Sequence, residues 1–459
     1  MTILSWRRLA PATVCAAIAA LAITASPVAA QVAAPSPATD RFEIPATDYG
    51  LPGMGPLRRY GWFRALWQKK RSTWATQRDT DRGAVVFVGD SITQGWNERL
   101  AAAFSGMKVA NRGISGDTSR GVLLRLEEDV LALQPRAVVL LIGTNDIEEG
   151  ARPDVIEHNV RLILAALRNH DPRMPVVLCQ VFPSSVTKRR AVPVIKETNA
   201  RLLALVKNDP QVTTLDTYTL WADADGNAPI AEFPDLLHLN DAGYTRWASA
   251  LRPVFETLGL LPVTPEPFTP EPGFDLLFNG RDLTGWGYRP TTDADKASAA
   301  RWQAADPNAA LWPIVTEAAT FDGRTSSVDG RFRVVGDRIV VTAPPEFRKI
   351  QQLWTTREFG EDFTLKLEFR ATPNADSGVY VRGPQLQVRD YRLAGPFKGL
   401  TKYRPQDWNE LVVTVRGTTV QATCNGEPLE LKLAVPASGP IGLEGDRGQM
   451  EYRRIRIGR

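Results

Sequence analysis

The sequence predicts a parallel α/β sheet with helices on both faces, followed by an all-β sandwich. Short, wholly apolar runs alternate with helical apolar spacing between residues 84 and 258, a pattern typical of a buried parallel sheet. A proline-rich stretch from Pro262 to Pro272 then interrupts the chain, and beyond it apolar and polar residues alternate with period two. At 459 residues the chain is too long for one ordinary core, so two folded domains are expected. The expected divisions are a leader over 1–30, a tether over 31–41, a first domain over 42–261, a linker over 262–272 and a second domain over 273–459.

In the leader, Arg7 and Arg8 precede an apolar stretch from Val14 to Ala25, and Val28-Ala29-Ala30 places small residues before Gln31. This is the pattern of a secretory signal peptide, so export to the periplasm or beyond is expected. The run is too short for a confident membrane span, and no stable membrane insertion is expected. Ala, Pro, Ser and Thr dominate the tether. From Tyr60 to Trp74 the chain is aromatic and basic and reads as a leading helix against the first domain. Ala84–Val88, Ala137–Ile142, Val176–Val181 and Val212–Leu215 have strand length, while Asp154–Leu167, Val194–Val206 and Ala242–Leu258 carry helical spacing. In the second half, Phe363–Phe369 and Leu411–Val415 alternate as sandwich strands do. Tyr288 to Arg331 shows neither period and reads as a long loop or insertion.

Composition narrows the function. A formal charge of +4 on 55 basic and 51 acidic residues gives too weak a field for nucleic acid or an anionic membrane. Cys15 lies in the leader, leaving Cys179 and Cys424 in separate domains, which excludes a disulfide scaffold. Cys179 sits in an apolar strand and reads as a buried thiol. No Cys/His cluster has zinc spacing, so neither metal nor cofactor is expected.

The strongest local signal is Val85-Val86-Phe87-Val88-Gly89-Asp90-Ser91, an apolar strand ending in Gly-Asp-Ser. A serine just after a buried strand stands at the rim of the sheet, where open α/β folds keep their sites. Alone, it is equally an ordinary turn or helix cap. Three further segments follow in order: Asn111-Arg112-Gly113-Ile114-Ser115-Gly116, Gly143-Thr144-Asn145-Asp146 and Asp235-Leu236-Leu237-His238. Of three histidines only His238 has a carboxylate three residues before it; His158 lies in a helical pattern and His170 in a turn-like one. Asp90 and Asp146 read as loop anchors. Lys188-Arg189-Arg190 reads as a solvated basic loop, since three adjacent charges argue against burial.

Together these blocks resemble the SGNH hydrolases, the GDSL-type esterases and lipases, over about Ala84 to Leu258. The resemblance implies a flavodoxin-like parallel sheet and a serine esterase: Ser91 as nucleophile, His238 as its base, Asp235 holding the histidine. It further implies an oxyanion hole from the amides of Ser91 and Gly113 and the side chain of Asn145. Its wording is closest to the platelet-activating-factor acetylhydrolase-like and carbohydrate-esterase branches.

Gly273-Phe274-Asp275-Leu276-Leu277-Phe278-Asn279-Gly280 and later segments through Gly439–Leu443 resemble the 3-keto-disaccharide hydrolases, a concanavalin-like jelly roll. Where that family carries an acid, this chain has Gln385, which can neither donate a proton nor attack. A glycan-binding role is therefore favoured for this half, with its binding residues unassigned. Trp286, Trp302, Trp312, Trp354 and Trp408 offer stacking faces, although in a sandwich most tryptophans are core. The leading expectation is an exported esterase removing acetyl or other small acyl groups from carbohydrate. Its rivals are a glycosidase acting on 3-keto-disaccharides through the second domain and a lysophospholipase or platelet-activating-factor acetylhydrolase-like lipid esterase. Oligomeric state is left open.

Overall fold

The four expected strands and one more, Val109–Gly113, assemble as β1 (Val85–Gly89), β2 (Val109–Gly113), β3 (Ala137–Leu141), β4 (Val176–Cys179) and β5 (Val212–Leu215), all parallel, in the order β2-β1-β3-β4-β5. The computed structural model describes residues 40–306 and 309–459; the predicted leader, with Cys15, and the predicted tether up to residue 39 lie outside them. This strand order reverses direction of growth between β1 and β3, and such switch points are where open α/β sheets bind ligands.

Alternate residues of each strand serve opposite faces. Val86, Val88, Val138, Leu140 and Leu178 pack against α2 (Ser119–Asp129), α3 (Pro153–His170) and α4 (Val192–Val206). Val85, Phe87, Val139, Leu141 and Cys179 pack beneath α5 (Asp241–Thr257) with Trp96, Trp247 and Phe255. Cys179 is buried and unpaired, and burial pushes its thiol up to about 12, so it is inert packing. The leading helix, α1 (Gly61–Thr76), buries Phe63, Trp67 and Trp74 in a separate cluster with Ile44, Leu57 and Ile114.

Two departures from the sequence reading have local causes. Strand β4 stops at Cys179 because the side chain of Asn199 takes both the amide and the carbonyl of Val181, at 2.7 and 2.9 Å. Helix α2 was not expected: its buried side carries Ser119, Arg120, Arg125 and Asp129 beside Val122 and Leu126, which blurs the apolar period.

Beyond the proline-rich stretch two antiparallel sheets face one core. One runs through Phe363–Ala371, Asn409–Arg416 and Met450–Gly458, the other through Leu283–Tyr288, Arg348–Thr355, Gly378–Val381 and Ile441–Arg447. Leu365, Leu367, Phe369 and Val413 of the first meet Trp286, Leu353, Val379 and Leu443 of the second. Tyr288 to Arg331 is more than a loop: it holds a helix, Asp293–Ala305, and a strand, Ala319–Phe321, paired with Leu283–Tyr288. The helix has no apolar period because only Ala299 is buried along it.

The sandwich is tied to the α/β sheet by polar contacts. Glu256, near the end of α5, accepts from Arg338 at 3.1 Å and Arg370 at 2.6 Å, and Asn374 donates to Asp216, just beyond β5, at 2.8 Å. No helix among the described residues is long and apolar enough to cross a membrane.

Candidate active site

Ser91 opens a one-turn helix directly after β1. Asp90 caps that turn, accepting from the amide of Ile92 at 2.9 Å, as a loop anchor should. Its other carboxylate oxygen has no partner among the described residues, and burial raises the acid to about 7. The turn is seated by close backbone approach. A β-carbon on Gly113 would lie 2.2 Å from the amide nitrogen of Gln94 and 2.8 Å from the carbonyl of Asp90, so only glycine lets β2 run against the serine turn. From the other side the hydroxyl of Tyr244, on α5, donates to the carbonyl of Ile92 at 2.7 Å.

His238 precedes α5, whose first turn is capped by Asn240. The loop that presents it turns on Leu236, a non-glycine residue with positive φ (63°), and Ser184 Oγ donates to the Leu236 carbonyl at 2.8 Å. Asp235 Oδ1 accepts from the amides of His238 at 2.7 Å and Leu237 at 3.1 Å, while Oδ2 lies 2.7 Å from His238 Nδ1. His238 Nε2 lies 2.9 Å from Ser91 Oγ. Partial burial works to raise the Asp235 acid, but the His238 amide and ring together with the Leu237 amide outweigh it and hold the group at about 2. An ionised carboxylate only accepts, so Nδ1 carries the ring proton and Nε2 is left to accept from the serine hydroxyl. The remaining histidines lie on α3, outside this chain of hydrogen bonds.

The expected oxyanion donors are placed unequally. The side-chain nitrogen of Asn145 donates to the carbonyl of Asp117 at 2.9 Å, and Asn145 Oδ1 accepts from Arg190 at 3.0 Å, which leaves the second amide hydrogen of Nδ2 free. Gly113 does not offer its amide: that N–H donates to Asn111 Oδ1 at 2.9 Å. Its glycine is required by the close packing on Gln94 instead. Three residues on, Gly116 turns at φ +88°, and its amide has no acceptor among the described residues. Gly116 thus replaces Gly113 as the available donor.

Arg190 corrects the reading of the basic run. It is 1 % exposed, and it donates to Thr144 O at 3.0 Å, Thr144 Oγ1 at 2.9 Å, Lys188 O at 2.6 Å, Asn145 Oδ1 at 3.0 Å and Glu148 at 3.0 Å. Glu148 in turn pairs with Arg58. Arg125, fully buried, holds Asp117 at 2.8 Å and reaches the carbonyls of Gly89 at 3.2 Å and Arg112 at 2.8 Å, tying the ends of β1 and β2 together. No residue pattern singles out either arginine, because the decisive acceptors, Thr144, Asn145 and Glu148 for Arg190 and Gly89 for Arg125, come from other segments. Among the described residues no group of His, Cys, Asp and Glu side chains is arranged to hold a metal ion.

The sandwich carries a cavity of about 870 Å³ lined by Tyr288, Arg289, Asp295, Gln352, Trp354 and Tyr380 among others. Trp354 and Tyr380 meet at 4.8 Å between ring centroids. Behind them Tyr380 donates to Glu444 at 2.8 Å and Gln385 donates to the same carboxylate; burial raises that acid to about 7. Of the other tryptophans, Trp286 is core, Trp302 pairs with Trp312 at 5.6 Å, and Trp408 lies under the guanidinium groups of Arg338, Arg370 and Arg453.

A parallel α/β sheet with serine at the end of its first strand is the frame of a carboxylic ester hydrolase, and comparison with known proteins agrees. The GDSL-like lipase/acylhydrolase family model matches residues 87–246, and a 3-keto-alpha-glucoside-1,2-lyase-like domain matches 273–458. The human platelet-activating factor acetylhydrolase IB subunit alpha2 is 30 % identical over 190 residues, covering 40 % of this chain and 79 % of that protein. The chain belongs to the GDSL-like lipase/acylhydrolase family. Among solved structures, a GDSL-like lipase from Bacteroides thetaiotaomicron matches at 26 % identity and TM-score 0.37, covering 41 % of this chain and 97 % of that one. An acetyl-xylooligosaccharide esterase mutant from Geobacillus matches at 21 % identity and TM-score 0.31, covering 39 % and 96 %.

Proposed function

We propose that the chain is an exported serine esterase that removes acetyl or other small acyl groups from carbohydrate, with the sandwich holding the glycan. The observation that carries this reading is the hydrogen-bonded series Ser91 Oγ, His238 Nε2, His238 Nδ1, Asp235. In this mechanism Ser91 Oγ attacks the acyl carbon as His238 Nε2 takes its proton, and the imidazolium is steadied by the ionised Asp235. The negative charge on the acyl oxygen is met by the amides of Ser91 and Gly116 and by Asn145 Nδ2, whose amide plane Arg190 holds from the carbonyl side. His238 returns the proton to the departing alcohol, and water then repeats the sequence on the acyl-serine. The Trp354–Tyr380 cavity supports a sugar-holding role for the sandwich, and the leader-like first 30 residues support export.

The test is acetate release from acetylated glycans and from p-nitrophenyl acetate, with Ser91→Ala as control. Release that vanishes in Ser91→Ala is expected; an unimpaired Ser91→Ala refutes the nucleophile. A second reading, catalysis by the sandwich on keto-sugars, is favoured by one observation: Glu444 is a buried acid at about 7 beside the cavity, although Gln385 stands where the family's acid is expected. Cleavage of a 3-keto-disaccharide that is lost in Glu444→Gln and kept in Ser91→Ala would establish it.

A further inference from the structure

Trp62 and Tyr60 lie at the start of α1, N-terminal to the residues that match the family. They are 54 % and 51 % exposed, while Phe63 and Trp67 of the same helix are buried. Their rings are nearly parallel, 14° apart with centroids at 6.4 Å. Trp62 is braced edge-on by Phe63 at 5.7 Å. The two rings therefore form one stacked aromatic pair, each ring about half open to solvent.

That surface begins at the oxyanion loop. A β-carbon on Gly116 would stand 2.6 Å from Trp62 Cη2 and 3.0 Å from Arg58 Nη1, so the tip of the indole rests against the Gly116 backbone. The Gly116 amide is the donor left free, and the carbonyl of the next residue, Asp117, holds Asn145 Nδ2. One residue thus separates the aromatic surface from the donors that meet the acyl oxygen. Its rim is polar: the Tyr60 hydroxyl lies 3.3 Å from the Glu149 carboxylate, and Arg58 donates to that carboxylate at 2.7 Å.

A half-exposed aromatic pair with hydrogen-bonding groups at its edge suits a ligand that is apolar on one face and polar around its perimeter. A pyranose ring has that character: its C–H hydrogens meet the negative π face while its hydroxyls reach the rim. A lipid alcohol would need an enclosed apolar channel, and an open surface rimmed by Arg58 and Glu149 provides none. We propose that Tyr60 and Trp62 form the subsite for the sugar ring of the acylated alcohol, so that selectivity for carbohydrate esters is set by a segment outside the matched family region. This deepens, and rests on, the esterase reading of Ser91.

The experiment compares kcat/KM on acetylated xylooligosaccharide with kcat/KM on p-nitrophenyl acetate for wild type, Trp62→Ala and Trp62→Phe. The ratio is expected to fall about tenfold in Trp62→Ala and less in Trp62→Phe. In parallel, calorimetric binding of deacetylated xylooligosaccharide to Ser91→Ala is expected to weaken by a similar factor when Trp62→Ala is added. An unchanged ratio, an equal loss on both esters, or a larger loss on a 2-acetyl glycerophospholipid than on the sugar ester overturns the subsite. Failure of the underlying reading shows separately, as p-nitrophenyl acetate hydrolysis that survives Ser91→Ala.

Discussion

Replacing Arg190 with methionine tests whether the oxyanion side chain is held by a buried cation. The guanidinium makes five hydrogen bonds, of which the one to Asn145 Oδ1 bears most directly on the amide proposed to face substrate. Loss of an oxyanion donor outright costs on the order of 10²- to 10³-fold in kcat. Arg190 acts one bond further away, and Asn145 keeps its second anchor, the Asp117 carbonyl at 2.9 Å. The expected loss is therefore smaller, about ten- to a hundredfold in kcat, with KM changed by less than about threefold. Methionine leaves Glu148 its other partner, Arg58, so the stability cost should stay at the lower end of the roughly 3–5 kcal/mol for breaking a buried pair. The decisive measurement is a double-mutant cycle on p-nitrophenyl acetate. If Arg190 works through Asn145, Arg190→Met added to Asn145→Ala costs little more than Asn145→Ala alone. Additive losses, or a single-mutant kcat within about twofold of wild type, would refute the positioning role.

Three further outcomes are expected. Asp235→Asn should lower kcat by about 10²- to 10⁴-fold at pH 8, below the loss for a deeply buried counterpart because His238 and Asp235 are both more than two-fifths exposed and water can partly replace the carboxylate. Glu444, raised from 4.5 to about 7, binds its proton more tightly folded than unfolded. Its contribution to stability is thus fully present below pH 4.5 and lost as pH rises through about 7, up to about 3 kcal/mol. Glu444→Gln should therefore melt progressively higher than wild type as pH is raised from 5 to 8, and a pH-independent difference would contradict the burial argument. Finally, hydrolysis of p-nitrophenyl acetate should be unchanged in excess chelator; a strict need for added divalent metal would count against the serine mechanism.

What the sequence made legible was what lies close along the chain. Gly89-Asp90-Ser91 at the end of an apolar strand, and Asp235 three residues before His238, are local patterns, and the structure sets these residues in one hydrogen-bonded series. Strands β1, β3 and β4 were equally plain, since each is a short apolar run buried on both faces, whereas β2, Val109-Ala110-Asn111-Arg112-Gly113 and partly exposed, was not singled out as a strand. The choice between Gly113 and Gly116 was not legible, because both glycines follow the same strand. What separates them is that Asn111 takes one amide and Gln94 crowds the same residue, facts that exist only once β2 lies against the serine turn. Arg190 was hidden for a related reason: flanking charges predict solvation, but Thr144, Asn145 and Glu148 supply its acceptors from 42 to 46 residues away.

The residues that the sequence did not reveal share a physical origin that bears on how the proposed site works. Each of Gly116, Arg190 and Arg125 acts on the ends of β1, β2 and β3 and not on the nucleophile itself. Arg125 gathers the carbonyls of Gly89 and Arg112, Arg190 holds the turn after β3, and Gly116 turns the loop after β2 at φ +88°. A serine and histidine can be brought together by one hydrogen bond, whereas an oxyanion hole needs donors from three separate strand ends held at fixed spacing before substrate arrives. Buried arginines suit that task, since one planar guanidinium can satisfy several carbonyl oxygens at once and remains charged when desolvated. Variants of these residues should accordingly reduce kcat while the Ser91–His238–Asp235 series stays intact. A low-field proton resonance of His238 Nδ1 reads the hydrogen bond to Asp235 without any acyl oxygen present. A resonance unchanged in Arg190→Met beside a lowered ester turnover would separate the two halves of the site, and its loss would show that they are one unit.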